Sequence, residues 1–171
     1  MTSLIFDSCE SFANFLDTTV KMRLAAIPAM ELAAQEVEKA AKQELGTYQK
    51  RNMGPFKAWK ELSPSTKETR RRLQSTYGIN APLLREGELR NSISHETDKS
   101  GLEAVIGSPL DKALYLELGT KNMAPRSFLG LAAYRKRKKI IKLVGGLTVC
   151  AMLNVDFRNF GSYVFKHEGE D

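Results

Sequence analysis

A chain of 171 residues, 42% hydrophobic and 27% charged, has the size and polarity expected of one globular domain, residues 1–171, with a core of its own. The best candidate for a membrane span, Ile140 to Leu153, is about 14 residues and is broken by Gly145-Gly146, too short to cross a bilayer. Cys9 and Cys150 stand alone, which gives neither a metal spacing nor a disulfide framework. Met1 to Phe6 lacks the basic and long apolar regions of a signal peptide, so synthesis in a reducing cytoplasm is expected. The net charge of +6 is uneven: residues 1–45 carry four basic and seven acidic groups, a net −3, residues 46–100 carry +5 and residues 101–171 carry +4. Basic surfaces of this kind suit nucleic acid or an acidic protein partner and do not choose between them.

Phe12, Phe15, Leu16, Val20 and Leu24 recur at close to 3.6 residues and predict a helix from Ser8, with Ser8 or Asp7 as its cap. Pro28 lacks an amide donor and predicts a kink or restart near Ile27. The pattern resumes through Met30, Ala33, Val37, Ala41 and Leu45, with Glu38 and Lys42 as a favourable i,i+4 pair, and Gly46 ends it. Residues 46–62 read as a basic loop carrying Phe56 and Trp59. Such a mixture can stack on single-stranded nucleic acid, but aromatics in a loop more often fold back on their own domain. Ser63-Pro64 opens a polar helix containing Arg70, Arg71 and Arg72, read as a surface element.

Residues 83–93 suggest a helical turn feeding a strand. Asp98-Lys99-Ser100-Gly101 then suits the turn of a hairpin between residues 92–97 and 103–107. Ala113 to Leu118 makes a short apolar helix, Gly119 its glycine stop, and Pro125 the first turn of a further helix extending to Lys142. That helix carries the basic run Arg135, Lys136, Arg137, Lys138 and Lys139. Residues 147–155 are β-rich, and Phe157 to Phe165 alternates aromatic with polar residues like a final strand. The fold class expected is α+β, a long N-terminal helix packed on a small, mostly antiparallel sheet with additional short helices.

The search for chemistry is brief. His95 and His167 have no Cys, His or Asp set at ligand spacing, and there is no phosphate-binding glycine loop, nucleophile elbow or helical metal-binding pair. Glu86 and Glu88 flank Gly87 without a partner base or a recognisable pocket. No catalytic residue, metal or cofactor is expected, so the chain reads as a non-enzyme.

Three segments, in order, resemble the tail-completion and neck proteins of tailed bacteriophages, including the Mu-type virion morphogenesis family. Trp59 to Thr66 is similar to that family's W-x-x-L-S-P-x-T. Pro82 to Ile93 is similar to L-L-x-T-G-x-L-R-x-S-I, with Glu86 where threonine or aspartate is usual. Tyr115 to Thr120 followed by Ala124 to Leu129 is similar to Y-x-x-x-x-E-x-G-T … P-A-R-P-F-L, with Ser127 where proline is common. The likeness spans about residues 25–133 and leaves the tail from residue 134 uncovered. It implies a structural protein forming a six-copy ring (a homohexamer) in the virion neck, assembled in the host cytoplasm, that completes the tail. Its partners would be itself, a head-side connector or stopper protein, and a tail terminator or tail tube protein, with DNA passing through the lumen without specific binding and no membrane involved.

On that reading Glu117, Leu118, Gly119, Thr120, Pro125, Arg126, Phe128 and Leu129 are candidates for subunit contacts, although the same residues could simply cap helices and fill the core. The alternative is a basic nucleic-acid-binding protein acting through Arg70–Arg72 and Arg135–Lys139. A metal-dependent nuclease is a third, more distant possibility.

Overall fold

The computed structural model describes residues 5–100 and 102–152. Its first element, α1, is a 36-residue helix, Cys9–Glu44. Ser8 starts it: Ser11 N–H donates to Ser8 Oγ at 3.1 Å while Ser8 N–H donates to Ser11 Oγ at 3.3 Å, a reciprocal arrangement that satisfies otherwise orphaned donors. Of the kink or restart expected near Ile27, the restart does not occur: the helix passes through Pro28 as one element. A proline inside a helix costs about 3 kcal/mol. Burial offsets it, because Ala25 and Ala29, one on either side, are fully buried. Glu38 and Lys42 form the anticipated i,i+4 pair at 2.5 Å. Gly46, at φ +96°, turns the chain out of the helix end, and its N–H donates to Pro82 O at 2.8 Å.

The second helix, α2 (Pro64–Arg72), begins as its sequence dictates. Ser63 accepts from Thr66 N–H at 3.2 Å, and Pro64 sits in the first turn where its missing donor is no loss. The short α3 (Glu88–Ser92) follows Gly87, whose φ of +87° a side chain would oppose. It feeds β1 (Ser94–Thr97), which pairs with β2 (Ala104–Gly107) in a two-stranded antiparallel sheet. Across the hairpin turn, Asp98 N–H donates to Glu103 O at 2.9 Å. Then come α4 (Asp111–Leu118) and α5 (Leu129–Met152). The architecture is thus α+β, a long N-terminal helix against a small antiparallel sheet with short helices beside them.

Two expectations for the later chain are corrected. The helix after the corner starts at Leu129, so Pro125 lies in the loop ahead of it and not in its first turn. The helix also continues to Met152, so residues 147–152 are helical, not a strand, and Gly145-Gly146 lies in a helix interior. Each interior glycine costs about 1 kcal/mol relative to alanine. Leu143 and Leu147, one turn apart, are 0% and 2% exposed, and their burial outweighs that cost. The strand expected at Phe157 to Phe165 lies outside the described residues.

The described chain divides into two compact units. One takes in α1 up to Ala33, Thr97–Ala104 and α5 from Lys138; the other takes in Ala34–Glu96 and Val105–Arg137. In the first, Ala25, Ala29, Ala33, Leu143 and Leu147 are buried, and Thr97 Oγ1 donates to Glu31 Oε2 at 2.6 Å. In the second, one cluster joins Ala40, Ala41 and Leu45 of α1 to Trp59, Leu84, Leu89, Ile93, Ala113, Phe128, Leu131 and Ala132.

Candidate functional site

The site is the corner between α4 and α5, and it is built around one carboxylate. Glu117 lies in the last turn of α4, followed by Gly119 at φ +79°, ψ +177°, a conformation open essentially to glycine alone. A Cβ at Gly119 would stand 2.8 Å from Met123 O and 2.9 Å from Pro125 N, so space excludes a side chain as firmly as the backbone angles do. The chain next makes a tight reversal in which Thr120 N–H donates to Met123 O at 2.9 Å and Met123 N–H returns a bond to Thr120 O at 3.1 Å. Arg126 N–H donates back to Leu116 O at 2.8 Å, which brings residues 127–130 alongside Glu117.

The Glu117 carboxylate then accepts four hydrogen bonds. They come from Phe128 N–H at 2.8 Å, Leu129 N–H at 3.0 Å, Gly130 N–H at 2.9 Å and the Ser127 hydroxyl. These amides are the first donors of α5, which have no partner within the helix. A negative group there also opposes the positive end of the helix dipole. Glu117 is therefore the N-terminal cap of α5, supplied from another helix. Gly130 permits close approach of the neighbouring loop, since a Cβ there would meet the Phe56 ring at 2.9 Å. Arg126 secures that loop through Nη2, which donates to Lys60 O at 3.0 Å.

The candidate contact residues separate into two groups. Phe128 is fully buried, which corrects its assignment to a subunit contact: its ring fills the chain's own core. Glu117, Gly119, Arg126 and Leu129 are at least partly withdrawn from solvent, the first three held by the contacts just described and Leu129 packed against the core. Leu118, Thr120 and Pro125 face solvent, and Leu118 is 70% exposed. Leu114 and Tyr115 join Leu118 on the outer surface of α4, so the corner's polar groups point inward and its largest exposed side chains are apolar.

No family model, curated protein or solved structure matches this chain.

The three sequence segments nonetheless meet physically. Trp59, then Leu84, Leu89 and Ile93, then Phe128 belong to one buried cluster, with Leu116 and Leu129 packed against it. Trp59 thus folds back on its own unit, and its N–H donates to Gln49 O at 2.9 Å. Gln49 is a buried polar residue of this loop. It is 4% exposed, and its side-chain amide donates to Phe56 O and Lys57 O, both at 3.3 Å, to hold the loop's shape. A single polar residue after a helix carries no local signal for that role.

The basic candidates also change character. Arg70 is buried, not a surface group: Nη1 donates to Ala81 O and Leu84 O, clamping the segment that precedes α3. Burial lowers its pKa. Lys139 is likewise 8% exposed, a second correction. Arg71 and Arg72 face solvent, with Arg71 paired to Glu68 at 2.6 Å. Arg135 pairs with buried Glu44 at 3.0 Å and Lys136 with Glu36 at 3.6 Å. Arg137 lies over the Tyr134 ring, 3.9 Å from its centre, and Lys138 is exposed. One face of the run is therefore committed to contacts within the chain itself.

Two further acids show opposite environments. Burial raises the pKa of Glu44, against the attraction of Arg135. The hydrogen bond from Lys42, followed by that from His95, lowers the pKa of Glu38. Among the described residues, no group of three or more His, Cys, Asp or Glu side chains could hold a metal ion. No described helix is long and apolar enough to cross a membrane.

Proposed function

We propose that this chain is a structural protein of a tailed bacteriophage virion, a ring-forming neck subunit that completes the tail and joins it to the head connector. The observation that carries the reading is the division of labour at the corner. Glu117, Gly119 and Arg126 fix the backbone from within, while Leu114, Tyr115 and Leu118 stand exposed on α4. A rigid element presenting an apolar face suits subunit contacts, because little conformational entropy remains to be lost on docking. The meeting of the three motif segments in one core supports the same reading, since it gives their shared spacing a structural purpose. The partners would be sister subunits, a head-side connector or stopper, and a tail terminator or tail tube.

The alternative, nucleic-acid binding through the arginine and lysine runs, is weakened by burial of Arg70 and Lys139 and by the ion pairs of Arg135 and Lys136. A salt titration on duplex DNA separates the two. The neck reading predicts weak, nonspecific association that disappears near physiological salt. Submicromolar binding that persists there contradicts it.

A further inference from the structure

Three elements of the second unit bring basic side chains to one cavity of about 480 Å³. From α1 come Lys39 and Lys42, three residues apart and so on one face of the helix, with the amide of Gln43 one turn beyond Lys39. Arg90 comes from α3 and His95 from β1. The cluster is therefore assembled by the fold and is not a run of neighbours in the sequence. Its volume falls within the range of small-ligand sites, about 300–1,000 Å³.

Among the described residues of the lining, Glu38 is the one carboxylate, and both of its oxygens are engaged. Lys42 Nζ donates to Oε1 at 2.5 Å, and His95 Nδ1 bonds to Oε2. Lys42 first and then His95 hold the Glu38 pKa below the ordinary carboxylate value. The group is ionised at neutral pH and can only accept, so His95 Nδ1 is the donor. Lys42 thus balances Glu38. The side chains of Lys39 and Arg90 have no hydrogen bond or ion pair among the described residues, and both face the cavity. Two positive charges there are left without a counter-charge in the lining.

We infer that this cavity binds a small divalent oxyanion of the phosphate class, such as diphosphate or a phosphomonoester, between Lys39 and Arg90. Like charges lining one concavity repel each other and concentrate anions from solution. A guanidinium fork matches two phosphate oxygens, an ammonium adds a point charge, and the Gln43 amide supplies a neutral donor. A dianion cancels both free charges, whereas a single carboxylate would leave one of them uncancelled. Engagement of Glu38 by Lys42 and His95 keeps the site's one negative group from competing for the same donors. The inference goes beyond the neck reading and uses none of the residues that carry it.

The test is calorimetric titration of the full chain with sodium diphosphate, at an ionic strength held constant with sodium chloride. Saturable binding with a Kd below about 1 mM is expected, with inorganic phosphate weaker at the same site. Backbone amide shifts on titration should centre on residues 39–43 and 90–95. The double variant K39Q/R90Q should weaken diphosphate by about tenfold or more, while K57Q/K60Q should leave its affinity unchanged. All four side chains are exposed, so helix content by circular dichroism should hold in both variants and separates a lost site from a lost fold. Equal affinity in K39Q/R90Q, shifts centred elsewhere, or no saturable binding at constant ionic strength would each overturn the site and leave a solvated basic face. A short DNA duplex is the second arm. Duplex binding that K39Q/R90Q abolishes, with no binding of diphosphate, would assign the two cations to a nucleic-acid backbone and also overturn the small-anion site.

Discussion

The α4–α5 corner and the first half of α1 treat their side chains in opposite ways. At the corner, a carboxylate, an arginine and a hydroxyl turn inward and nearly every polar group has a partner, with Phe128 sealed beneath them. Along the first half of α1 the large apolar side chains turn outward, and the hydrogen bonds of the exposed Thr18 and Thr19 neighbourhood are local ones to the helix itself. The difference separates where stability resides from where contact capacity resides. The corner should be costly to disturb, while truncations along the exposed face of α1 should cost the single chain little.

The contrast is sharpest for matched truncations. Phe128→Ala removes a fully buried ring and should destabilise the chain by about 3–5 kcal/mol, read from the denaturant midpoint. Gly119→Ala comes next, at about 2–3 kcal/mol, because the φ of +79° and the 2.8 Å approach of Met123 O both oppose a Cβ. Glu117→Ala should cost about 2 kcal/mol by leaving the first amides of α5 without their acceptor, with fraying of that helix end visible as faster amide exchange at residues 128–130. Leu24→Ala, at a position 61% exposed, should change the midpoint by no more than about 0.5 kcal/mol. A loss of several kcal/mol there would erase the distinction between the two regions.

The smallest effect concerns pH. The Glu38 pKa is lowered by Lys42 and then by His95, so the stability Glu38 contributes is present above its unfolded pKa and is lost as pH falls through its folded value. Urea midpoints taken from neutral pH down through the carboxylate range should therefore fall less for Glu38→Gln than for the parent chain. Glu44 acts with the other sign: burial raises its pKa, so its contribution is present below the unfolded pKa and is lost as pH rises through the folded one.

Features set by neighbouring residues were legible in the sequence. Ser63 with Pro64 starts α2, Gly46 follows the end of α1, and Asp98 to Ser100 reverses the hairpin, each through chemistry acting over three or four positions. Features set by burial were not. Pro28 is carried through α1 by the packing of Ala25 and Ala29, and Gly145-Gly146 is carried through α5 by Leu143 and Leu147. At the site, the glycine stop and the start of a new helix could be read, but the link between them could not. Glu117 caps amides 11 to 13 positions away, and only the fold of the intervening turn brings them together. Arg70 shows the same limit in reverse: among three consecutive arginines, the one that turns inward is chosen by the carbonyls of Ala81 and Leu84.

The central claim is that this chain assembles through its outward apolar surfaces into a neck ring. Native mass measurement of the full chain, alone over rising concentration and then mixed with a connector and a tail tube, tests it most directly. The account predicts a closed homo-oligomer, formed alone or on docking, of the six copies implied by the likeness to tail-completion proteins. A chain that remains monomeric at every concentration and with both partners present would contradict it.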